Sequence, residues 1–199
     1  MDNSKTNIAE EPTMGYNRSD YTYADYLKFT FDEAVEIIRG QIFKMSPAPK
    51  SYHQQISSRL FLPLGNFFVN KNCELFHAPF DVVLPVKNQN KNTSTTVVQP
   101  DLCIICDLDK IDEAGCTGAP DLIIEILSDS TSKKDLNDKY SIYEECGVKE
   151  YWIVMPKQQL VEIFSLQNGK YQRIKTYTKD EAVQSLVFPE LSIGLEKVF

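Results

Sequence analysis

The stretch from Ala119 to Ser128, APDLIIEILS, constrains this chain most. As a strand it is apolar on both faces, so it needs a sheet covered on both sides. Asp121, Ile123, Glu125 and Leu127 share one face, and Leu122, Ile124 and Ile126 share the other. Glu125 is therefore a carboxylate set among apolar neighbours. An unpaired charge in such a place is very costly, so it must neutralise, find a cation or bind a metal. Pairing with a structural lysine or arginine is the plain alternative.

Two more groups share that predicament. Asp101 follows Pro100 in a β-rich run, flanked by Val97, Val98, Leu102 and Ile104. A turn aspartate after proline is the plain reading, yet two strands each delivering an acid form the usual oxygen cage for Mg²⁺ or Mn²⁺. Lys139 lies on the helical stripe of Leu136, Tyr140 and Tyr143, so its head points toward the sheet unless its stem snorkels to the edge.

Around these residues the pattern is a single α/β domain over residues 21–199, after a flexible polar tail over 1–20. A short helix is predicted over Tyr23–Lys28, opened by Thr22. AVEIIRGQIFKMSP reads as a hairpin turning at Arg39-Gly40 and closed by Pro47 and Pro49. Helical spacing over Ser51–Asn70 should be kinked or split by Pro63 and Gly65. Strands follow in CELFHAPFDVVLPV, TTVVQPDLCIICDL and APDLIIEILS, with DKIDEAGCTG as a turn-rich gap. A helix with a capping-box pattern at Ser132-x-x-Asp135 runs to Gly147. The strands VKEYWIVM, QLVEIFSL and YQRIKTYT complete the order, the last two joined at Gln167-Asn168-Gly169.

The 199 residues carry 28 acidic and 21 basic side chains, a net charge of −7. That balance argues against a generic nucleic-acid coat protein but allows an enzyme with one local basic face. Lys170, Arg173, Lys175 and Lys179 offer such a face, with a solvated strand surface as the plain alternative; Lys133 and Lys134 add two charges at a helix start. No apolar run approaches the roughly 20 residues of a membrane helix, and the polar start lacks a signal-peptide core. The expected setting is the cytoplasm, with no membrane partner and five reduced, mostly buried cysteines. Cys103 and Cys106 have C-x-x-C spacing, but along a strand they face opposite sides and read as core residues.

The segments EIIRGQIFKMSPAPKSYHQQ, CELFHAPFDVVL, VVQPDLCIICD and GAPDLIIEILSDSTSKKDLNDKYSIYEECGVKEYWIV together resemble the Uma2 family, also called DUF820. That family is grouped with PD-(D/E)xK restriction-endonuclease-like proteins. The resemblance implies a mixed central sheet flanked by helices, here with an N-terminal β-hairpin extension. It implies Asp101 as the acid after proline, Glu125 as the second acid, and Lys139 as a lysine moved to the following helix. Asp101 and Glu125 would hold Mg²⁺ or Mn²⁺. Where the wider motif has lysine, two residues past Glu125, this chain has Leu127. Glu36 matches the first acid of an E-x-x-D-G-E hairpin in which Arg39 and Gln41 replace the other two. His53 matches a family histidine, with a core histidine as the equal alternative.

The activity so implied is a metal-dependent endonuclease hydrolysing phosphodiester bonds, with DNA as partner. A non-catalytic interaction or regulatory module, keeping the fold and a vestigial metal site, is the competing expectation. Assembly as a homodimer is left open.

Overall fold

In the computed structural model, which describes residues 18–31, 33–45, 50–128 and 133–199, the run Leu122–Ile126 is a strand buried along its whole length. Three α-helices are described: α1 (Tyr23–Tyr26), α2 (Ser51–Phe68) and α3 (Lys133–Cys146). The strands are β1 (Val35–Ile38), β2 (Gln41–Lys44), β3 (Glu74–His77), β4 (Val82–Val83), β5 (Val97–Val98), β6 (Leu102–Ile105) and β7 (Ile111–Asp112). They continue as β8 (Gly115–Thr117), β9 (Leu122–Ile126), β10 (Glu150–Met155), β11 (Leu160–Gln167), β12 (Lys170–Thr178), β13 (Ala182–Gln184) and β14 (Ser192–Gly194).

Among the described residues, the single central sheet of the expectation is two six-stranded sheets and a two-stranded ribbon. One sheet has the order β12-β11-β10-β9-β6-β3, the other β2-β1-β5-β4-β8-β7. Strands β9 and β10 pair in parallel, so α3 between them is the crossover helix that a parallel pair requires. The β1–β2 hairpin forms as expected, turning through Arg39 and Gly40 at φ 51° and 77°. It is not an extension, because β1 pairs with β5 and joins the second sheet. The second sheet was hidden by strand length: β4, β5 and β7 span two residues each, too few to show a period. For the same reason the gap DKIDEAGCTG holds the β7–β8 hairpin.

Burial explains the helices. On one face of the β9 sheet, Ile56, Leu60, Leu64 and Phe68 of α2 pack with Leu102, Ile124 and Trp152. That four-residue spacing carries α2 unbroken through Pro63. A proline inside a helix costs about 3 kcal/mol, and burying several large apolar side chains, each about 1.5–3 kcal/mol, outweighs it. On the opposite face Cys103, Ile123, Tyr151 and Ile153 meet Ile142 and Tyr143 of α3 and Val82, Leu84 and Val98 of the second sheet. Thr22 caps α1 through a capping box with Asp25. Gly147, at φ 89°, ends α3 by donating to Tyr143 O and Glu144 O. Residues 1–17 of the tail, Pro47, Pro49 and the Ser132 cap lie outside the described residues.

The cysteine expectation needs one correction. Cys103 and Cys106 do face opposite sides, but Cys106 is bridged to Cys73. The β3–β6 ladder ends at Glu74↔Ile105, so Cys73 and Cys106 form the next pair outward. That register cannot be read from either strand alone. Cys103, Cys116 and Cys146 are free. Among the described residues no helix is long and apolar enough to cross a membrane.

Candidate functional site

The site lies where β6 begins and β9 ends. Their ladder stops at Leu102↔Ile124, and one step further out the same register sets Asp101 opposite Glu125. Antiparallel partners carry their side chains on one face, about 4.5–5.5 Å apart at Cα. Glu36 arrives from β1 of the other sheet, and Lys139 from α3.

Lys139 joins the two sheets. Its Nζ donates to Glu125 Oε1 at 3.0 Å and to Glu36 Oε1 at 2.9 Å. Glu36 Oε1 also accepts the Gln99 backbone N–H at 2.8 Å, and Tyr143 donates its hydroxyl to Glu125 Oε1 at 2.7 Å. Asp101 is held separately: its Oδ2 accepts the Ile126 N–H at 2.7 Å, and its Oδ1 is 3.3 Å from His53 Nε2. His53 Nε2 also lies 3.0 Å from Ile126 O. A carbonyl only accepts, so that ring nitrogen carries a hydrogen. The Asp101 side chain is 20 % exposed and that of Glu36 8 %, so Asp101 is nearer solvent.

The acids outnumber their cation. Burial first, then the negative charges of Asp101 and Glu36, push the Glu125 carboxyl up to about 7, against the opposing pull of Lys139 and Tyr143. Burial pulls the Lys139 ammonium down, but Glu125 and Glu36 together more than reverse it, so Lys139 stays charged. The hydrogen bond to Asp101 raises His53.

This imbalance has a measurable consequence in metal-free protein. A carboxyl whose folded pKa lies above its unfolded value favours the folded state at low pH, and that contribution is lost as pH rises to about 7. Glu125→Gln removes the titration and keeps an acceptor oxygen. Relative to Glu125→Gln, the wild-type chain should lose on the order of 1–3 kcal/mol between pH 5 and pH 8. Urea unfolding in a chelator measures the difference; parallel pH profiles would contradict it.

The donor set suits a hard divalent cation. Among the described residues no three His, Cys, Asp or Glu side chains are grouped to hold a metal by themselves. Mg²⁺, however, takes one or two carboxylates and completes its shell with water and substrate oxygens. Asp101 and Glu125 are the two carboxylates that could serve it, and the excess negative charge favours a cation.

The Uma2 family model, described as "Putative restriction endonuclease", matches residues 22–196. The chain belongs to the Uma2 family. A similar solved structure is that of a "putative nuclease belonging to DUF820" from Anabaena variabilis ATCC 29413, with a TM-score of 0.70 at 20% identity. The match covers 90% of this chain and 97% of that one, and it supports the fold. No curated protein matches.

In this Uma2 member Leu127 packs into the apolar core, while Lys139 brings an ammonium to Glu125 from α3. Arg39, in place of a family acid, pairs with Glu145 of α3 at 2.7 Å. A second Pro-Asp pair, Pro120-Asp121, has structural partners: Asp121 accepts the Cys106 N–H at 2.8 Å and pairs with Lys149 at 2.6 Å. The basic strand face is laced with ion pairs. Lys170 pairs with Glu144 of α3, Arg173 with Glu162 of the neighbouring β11 and Lys175 with Glu181 just past β12, so three of its four bases have an acid beside them. The Lys133 and Lys134 side chains lie outside what is described.

Sequence reasoning missed Tyr143 as a site residue, reading it as apolar stripe. Its signal was present: it stands one helical turn after Lys139 and shares its face. A cavity of about 330 Å³ is lined by Phe80, Asp81, Gln99 and Glu113 among others. With two acids and no cation in its lining it is no seat for phosphate.

Proposed function

We propose that this Uma2 member is a divalent-metal-dependent endonuclease that hydrolyses phosphodiester bonds, with DNA as substrate and Mg²⁺ or Mn²⁺ as cofactor. The observation that carries this reading is the Lys139 ammonium held between Glu36 and Glu125 from two different sheets, with Asp101 opposite Glu125.

Asp101 and Glu125 would hold the ion. A divalent ion in such a site supplies Lewis acidity and makes a water acidic enough to attack near neutral pH. His53 and the Ile126 N–H orient Asp101. Glu36 keeps the Lys139 ammonium at the acids, where it can stabilise negative charge developing on the phosphate. Burial of the cluster strengthens that interaction relative to water.

The non-catalytic module remains as a second reading because three bases of β12 are already ion-paired, leaving little free charge there for a nucleic-acid backbone. The cytoplasmic setting is part of the proposal, and the Cys73–Cys106 bridge is the observation against it.

Calorimetric titration with Mn²⁺ tests the metal. Wild type should bind at low millimolar concentration or tighter, and Asp101→Ala should lose the heat. Equal titrations for the two would contradict the assignment.

A further inference from the structure

We infer that Tyr143 is a positioning residue of this site: its hydroxyl fixes Glu125 Oε1, leaving Oε2 as the oxygen available to a cation. The inference rests on the nuclease reading above and goes beyond it by adding a residue that touches neither substrate nor metal.

Two donors meet at Glu125 Oε1, Lys139 Nζ at 3.0 Å and Tyr143 Oη at 2.7 Å, both from α3 and one helical turn apart. They differ in what else they do. Lys139 is shared with Glu36 at 2.9 Å and sits on a four-carbon stem with several rotatable bonds, so its charge could turn toward a phosphate. Tyr143 is wholly buried, and its ring packs edge-on against Tyr151 with centroids 5.2 Å apart. Two torsions and a packed ring leave that hydroxyl one place to be. When Lys139 turns away, Tyr143 is the donor that keeps Glu125 in its rotamer. A carboxylate left with no donor in so buried a place would be free to turn or take a proton. Partners of this kind, one step behind the ligand, typically govern metal affinity or rate by 10–100-fold.

Tyr143→Phe keeps the ring and deletes the hydroxyl. Tyr140→Phe is the control, since that ring packs on the same helix against Phe164 and Tyr171. Mn²⁺ affinity by calorimetry and DNA cleavage by steady-state kinetics are read in the full chain, with circular dichroism as the check on folding. The expected result is a dissociation constant for Mn²⁺ weakened about tenfold and a kcat lowered about tenfold or more, with KM for DNA unchanged. Tyr140→Phe should match wild type in both. A purely structural hydroxyl would shift the melting temperature alone; a folded Tyr143→Phe with wild-type affinity and kcat therefore overturns the inference, as does a variant that cannot fold. If wild type binds Mn²⁺, Tyr143→Phe weakens it, and neither cuts DNA, the nuclease reading falls while the positioning role stands. Wild type that binds no Mn²⁺ overturns both.

Discussion

Lys139→Met should still fold, with a loss of stability because buried Glu36 and Glu125 lose the ammonium between them. It should keep its Mn²⁺ affinity or improve it, and cut DNA about a hundredfold or more slowly than wild type. Methionine retains most of the lysine stem, so the packing of α3 survives. The charge is what disappears. Lys139 bonds Glu125 at 3.0 Å and Glu36 at 2.9 Å, and a metal entering beside Glu125 must compete with that ammonium. Removing it therefore does not weaken metal binding. Stabilisation of charge on the phosphate, in contrast, loses its one cation in the cluster. A variant that binds Mn²⁺ and cuts as fast as wild type would leave the enzyme standing and refute the role given to Lys139.

Glu150→Ala should lower stability by about 3–5 kcal/mol, although Glu150 plays no part in the chemistry. Glu150 is fully buried on β10 and has no basic partner among the described residues. Its carboxyl oxygens accept from three donors: Trp152 Nε1 at 2.5 Å, and the Leu186 and Val187 N–H groups at 2.7 and 2.9 Å. Alanine would leave the buried Trp152 indole without an acceptor and release the segment ahead of β14. Chemical denaturation at pH 7 measures the loss, and a change under about 1 kcal/mol would contradict this account of Glu150.

Glu150 also marks a limit of what could be read from the sequence. In KEYWIV the acid and the tryptophan fall on one strand face, but the two backbone donors come from residues 186 and 187, far along the chain. Glu125 and Lys139 were legible because local periodicity alone puts a carboxylate in an apolar strand and a lysine on an apolar stripe. Their contact follows from the β9-α3-β10 crossover. The partnership with Glu36 was not derivable in that way, since it needs the second sheet, whose short strands leave almost no pattern. The Cys73–Cys106 bridge and the ion pairs of β12 escaped for the same reason, register and long-range contact. Pro63 misled because a local helix-breaking rule was outweighed by burial of Ile56, Leu60, Leu64 and Phe68.

In the proposed nuclease, Asp101, Glu125 and Lys139 would act together as one metal-dependent phosphodiesterase site. Incubation of supercoiled plasmid with the wild-type chain and with Asp101→Ala, each in Mn²⁺ and in excess chelator, tests it most directly. Wild type should convert the plasmid to relaxed and linear forms in Mn²⁺ alone, and Asp101→Ala should leave it supercoiled. No conversion by wild type, or equal conversion by Asp101→Ala or in chelator, would contradict the account.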